Sequence, residues 1–93
     1  MFDRILKLFC EKIRTNQFIM TSHAEEEMDN DVLSIFDIER CVLNGKIIGR
    51  NRDTKTGEWK YTIIGKSITG LDIGIITKIS ITGKMVIITV YKL

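Results

Sequence analysis

The chain contains no proline, a single histidine, two cysteines and no apolar run of more than a few residues. Stretches such as Met85-Val86-Ile87-Ile88 fall well short of the roughly 18 to 20 residues that cross a bilayer, so no membrane span is expected. Cys10 and Cys41 stand 31 positions apart with no Cys-x-x-Cys pair, which fits neither a zinc-ribbon spacing nor a disulfide framework. Both are expected to be reduced core residues, and no metal or other cofactor is implied. Gly-x-Ser-x-Gly, Walker and Gly-x-Gly-x-x-Gly motifs are absent as well. The opening Met1-Phe2-Asp3-Arg4-Ile5-Leu6-Lys7 breaks its apolar positions with charges and offers no small-residue cleavage site, so a cytoplasmic location is expected.

What is present is the composition of one ordinary globular domain. The 93 residues are 44% apolar and 28% charged, enough for one modest core and too hydrophobic for disorder. The net charge of +2 hides an asymmetry. Residues 1–45 carry five basic against nine acidic side chains, net −4, and residues 46–93 carry nine against three, net +6. A basic C-terminal half fits either a polyanion-facing surface or a solvated lysine-rich sheet whose charges protect its edges.

Apolar spacing of three and four through Phe2, Ile5, Leu6, Phe9, Cys10 and Ile13 predicts a first helix over 2–14. Phe18-Ile19-Met20 reads as a short extended stretch. Thr21-Ser22 then offers an N-cap ahead of Ala24-Glu25-Glu26-Glu27-Met28, a short second helix. Ser34 with Asp37 approximates a capping box for a third helix through Ile38, Cys41 and Val42, stopped at Asn44-Gly45. Beyond Gly45 the period becomes strand-like, with strands near Lys46–Asn51, Gly57–Gly65, Leu71–Ser80 and Lys84–Lys92 joined by hairpin turns. The expectation is an α+β domain spanning 1–93, with N-terminal helices on one face of a mainly antiparallel sheet of four or slightly more strands.

Strict alternation sorts the faces. Val86, Ile88 and Val90 are assigned beneath the helices with Trp59, Tyr61 and Ile63. The uncovered face then gathers Lys60, Lys78, Thr89 and Tyr91, joined by Arg50 and Arg52 from the first long strand, as a platform for RNA. His23, the only imidazole, is the natural general acid or base; the alternative is a histidine that merely hydrogen-bonds a helix end. Glu26 and Glu27 lie three and four residues beyond it, where a solvated acidic face is the simpler reading than a metal site. Metal-free cleavage of a phosphodiester needs a base for the ribose 2′-hydroxyl, cations for the phosphorane and an acid for the leaving oxygen. His23, Arg50, Lys60, Lys78, Tyr61 and Tyr91 include every type required.

One pattern is more specific: Thr21-Ser22-His23-Ala24-x-x-x-Met28, Ile38-Glu39-x-x-x-Leu43-x-Gly45, and Ile87-Ile88-Thr89-Val90-Tyr91. It resembles a prokaryotic family of small domains with T-x-H-A-x-x-R-M, D-I-x-x-x-L-x-x-G and I-I-T-V-Y motifs, from about Phe18 to Lys92. Such domains look like the RelE, BrnT and MqsR toxins of type II toxin-antitoxin systems. The resemblance implies a RelE-like fold, metal-independent cleavage of messenger RNA, in some cases on the ribosome, and a cognate antitoxin of zinc-finger or helix-turn-helix type. His23 matches the signature histidine, and Thr89 and Tyr91 match the terminal strand. Glu27 replaces the motif's arginine, and Leu71-Asp72-Ile73 occupies a region where relatives carry a second histidine.

The leading expectation is therefore an endoribonuclease with His23, Lys60, Tyr91 and Arg50 catalytic, and Arg52, Lys55, Lys78, Thr89 and Tyr61 contacting RNA. The rivals are an inactive binding module of the same fold, and a structural protein that dimerises through a long, apolar last strand at a sheet edge.

Overall fold

The computed structural model describes all 93 residues, as three helices and five strands. Helix α1 (Asp3–Arg14) buries Phe9 and Ile13 from its apolar stripe. Strand β1 (Phe18–Met20) follows and leads directly into α2 (Ser22–Asn30), whose N-cap Thr21 accepts the Ala24 backbone N–H at 3.1 Å. Helix α3 (Ile35–Asn44) begins with the expected capping box: Asp37 accepts the Ser34 N–H at 2.8 Å and Ser34 Oγ accepts the Asp37 N–H. Asp37 also accepts the Ile68 N–H at 2.9 Å, tying the helix start to a sheet turn.

Strands β2 (Lys46–Arg52), β3 (Trp59–Lys66), β4 (Asp72–Ile79) and β5 (Met85–Lys92) form the expected antiparallel meander. The fifth strand is β1, which lies parallel to β5 and gives the order β1-β5-β4-β3-β2. The last strand is thus interior rather than at an edge, contrary to the dimerising-edge reading. Where β1 ends, Thr21 takes over: its N–H donates to Ile87 O and its hydroxyl to Ile88 O, both at 3.0 Å.

The core lies between the helices and one sheet face, where Phe9, Ile38, Cys41 and Val42 meet Ile63, Ile73, Ile75, Met85, Ile87 and Val90. Gly45 does stop α3, though not through a left-handed turn, since its φ is −90°. A methyl group there would meet the backbone oxygens of Cys41 and Ile64, and one on Gly65 would meet the same Cys41 oxygen. Both glycines let α3 settle directly onto β3.

Two bulges correct the facial assignment. Ile48 has no partner between the pairs Ile47–Ile63 and Gly49–Thr62, and Ile88 has none between Thr77–Ile87 and Ile76–Thr89. Each extra residue inverts the alternation on one side of itself. Met85 and Ile87 therefore join Val90 in the core, whereas Val86 lies outside that cluster and Ile88 is only half-buried. In β2 the same inversion carries Arg50 and Arg52, opposite Tyr61 and Trp59, to the helix side of the sheet. No helix is long and apolar enough to cross a membrane.

Candidate functional site

The expected site residues separate into three groups. The first centres on α2 and β5. His23, in the first turn of α2, keeps 66% of its side chain exposed and places Nε2 3.2 Å from Glu27 Oε1. That same oxygen accepts the Val90 backbone N–H at 3.1 Å. Glu27, only 25% exposed, thus fastens the imidazole to the stretch of β5 that runs on past its short pairing with β1, between the residues Thr89 and Tyr91. Both of these point to the uncovered sheet face, as expected. The Tyr91 ring lies on Gly74, its partner in β4, where a methyl group would collide with it. Nothing in the sequence motif assigned Glu27 this part; the i,i+4 spacing from His23 was the available signal.

The second group lies on the uncovered face at the other end of the sheet. Lys60 and Lys78 project there from β3 and β4, flanking the Tyr61–Thr77 pair. Neither is free. Lys78 Nζ donates to Glu58 Oε1 at 2.8 Å and Lys60 Nζ lies 3.6 Å from Asp53 Oδ2. Lys66 is paired likewise with Asp72 at 2.7 Å. The Lys78 ammonium and the Thr56 hydroxyl hold the Glu58 carboxyl below the usual range. The Lys55 and Thr56 backbone N–H groups do the same for Asp53, with Lys60 adding a smaller part. Lys55 itself stands in the β2–β3 turn, exposed. The expected open cationic platform is therefore neutralised by carboxylates from its own loop.

The third group is on the opposite side of the sheet. The Arg50 and Arg52 guanidiniums stack on the Trp59 ring, 3.9 Å and 4.6 Å from its centroid. Tyr61 packs edge-on against Phe2 and Phe9, with centroids 6.1 Å and 5.7 Å apart, and so belongs to the α1 contact rather than to an RNA platform. Arg50 is also remote from His23. Three strand spacings, about 14 Å, separate β2 from β5 before α2 is reached, so the two cannot address one phosphate. No cluster of three or more His, Cys, Asp or Glu side chains is arranged to hold a metal ion. Both cysteines are free thiols, and burial pushes Cys41 up to about 12.

Three helices on a five-stranded, mostly antiparallel sheet, with an exposed histidine–carboxylate pair stapled to the sheet, define a small α+β domain. The chain belongs to the family described as Domain of unknown function (DUF4258), which accounts for residues 20–92. No curated protein and no solved structure matches the chain. Helix α1 lies wholly outside the family segment.

Proposed function

We propose that the domain is a metal-independent endoribonuclease of the RelE-like toxin kind, acting on messenger RNA and neutralised by a protein antitoxin. The observation that carries this reading is the His23–Glu27 pair. A carboxylate accepting from Nε2 fixes the imidazole tautomer and its orientation, leaving Nδ1 to take the proton of a ribose 2′-hydroxyl. The 2′-oxygen then attacks the adjacent phosphorus. The bond to the 5′-oxygen breaks, and a proton from Tyr91 completes the leaving hydroxyl, giving a cyclic phosphate and a free 5′-end. Lys78 and Lys60, at the other end of the same face, hold a neighbouring phosphate of the strand once the RNA displaces Glu58 and Asp53. That exchange costs little, because partly exposed ion pairs are worth about 0–1 kcal/mol. Arg50 has no part in this scheme.

A second reading, a catalytically inactive binding module, is favoured by the self-neutralised lysines. Controlled induction in bacteria, beside His23→Ala at matched expression and folding, separates the two. Growth arrest with discrete new RNA 5′-ends, both lost in the variant, is the result expected of the enzyme. Unimpaired growth with intact RNA leaves the binding module.

A further inference from the structure

Four cations without a carboxylate partner line up on the helix side of the sheet. Between α1 and β2 runs an open groove of about 640 Å³ whose floor is apolar, formed by Phe2, Ile5, Leu8 and Tyr61. Its walls carry Arg4, Lys7 and Arg50, and Arg52 extends the line beyond Trp59. None of these four has a carboxylate within ion-pair distance, in contrast to Lys60, Lys66 and Lys78. Glu11 is the only acid in the groove.

We infer that this groove is a docking site for an amphipathic, acidic helix of a partner protein, with apolar side chains on the floor and carboxylates against Arg4, Lys7, Arg50 and Arg52. Charge complementarity and the apolar floor together select this occupant. Single-stranded nucleic acid fits less well, because it needs open aromatic faces. Trp59 is already covered by two guanidiniums, and Tyr61 is wedged between Phe2 and Phe9. A second copy of the chain is also a poor fit. Its acidic helix α2 offers Glu25, Glu26, Asp29 and Asn30 outward but buries Ala24 and packs Met28 on its own core, leaving no apolar stripe for the floor. Helix α1, which supplies most of the groove, precedes the residues the family matches, whereas Arg50 and Tyr61 lie within them. The inference is independent of the ribonuclease reading.

The test uses the full chain, isotope-labelled, and three probes. They are a synthetic helix of about 16 residues with leucine at i, i+3, i+4 and i+7 and glutamate elsewhere, its counterpart with lysine for glutamate, and a uridine oligonucleotide. The acidic peptide is expected to shift amide resonances of Phe2, Ile5, Leu8, Arg50 and Tyr61. It should bind about tenfold more weakly to R4E/K7E, and again to Arg50→Glu on a separate element, both retaining the dispersed spectrum of the folded chain. Equal binding of the lysine peptide, or shifts elsewhere on the molecule, overturns the inference. So do shifts of the groove resonances by the oligonucleotide with none from the acidic peptide.

Discussion

The Glu27 carboxylate receives the Val90 backbone N–H at 3.1 Å, a bond between residues 63 positions apart that joins helix α2 to the interior strand β5. Because the oxygen involved also faces His23, one side chain serves both the fold and the candidate chemistry. Glu27→Ala should cost about 1–2 kcal/mol in urea unfolding, since the Val90 donor is left without its partner. Glu27→Gln keeps an acceptor and should recover most of that. His23→Ala, on an exposed side chain, should stay within about 0.5 kcal/mol of the parent, so loss of activity there reports chemistry.

Asp37 binds three backbone or hydroxyl donors, the Ser34 N–H and Oγ and the Ile68 N–H. The Ser34 N–H foremost, with the Ile68 N–H and the Ser34 hydroxyl, lowers its pKa below 3.8. A carboxyl lowered in the folded state adds stability that is complete above its ordinary value and disappears as pH falls through the lowered one. Asp37→Asn should therefore destabilise by about 1 kcal/mol near neutrality. Its acid-unfolding limb should also be shallower than the parent's, as followed by circular dichroism.

Tyr91 and Gly74 form a pair in which the ring occupies the space of a missing side chain. Gly74→Ala must displace the ring and should cost about 1–3 kcal/mol. In a Tyr91→Ala background the same change should cost much less, a coupling that a double-mutant cycle measures directly. Equal costs in both backgrounds would show that the ring does not rest on Gly74.

Gly65→Ala presents a different obstacle, the backbone oxygen of Cys41, which no rotamer change can move. It should destabilise by about 3 kcal/mol or more and should not be rescued by any side-chain truncation nearby.

Cys41 is fully buried and its thiol is raised to about 12. Iodoacetamide at pH 8 should leave it unmodified in the native chain and label it only on unfolding, as mass spectrometry of peptides would show.

The sequence by itself determined the local structure. Apolar spacing fixed α1, the Ser34–Asp37 box placed the start of α3, Thr21 capped α2, and the Gly-containing turns separated four antiparallel strands near their observed limits. It also singled out His23, Thr89 and Tyr91; Glu27, which pairs with His23, bonds β5 at Val90, between the other two. These features depend on neighbours a few residues away, which is what a sequence pattern displays. Only the tertiary structure decided which side chains share a face. Alternation carries parity along a strand until a residue is inserted, and the bulges at Ile48 and Ile88 reversed it for Arg50, Arg52, Met85 and Ile87. The pairing of Lys60 and Lys78 with Asp53 and Glu58, and of Glu27 with Val90, arises from contacts between separate elements. A residue's charge is written in the chain, but whether that charge is free is settled by what folding brings beside it.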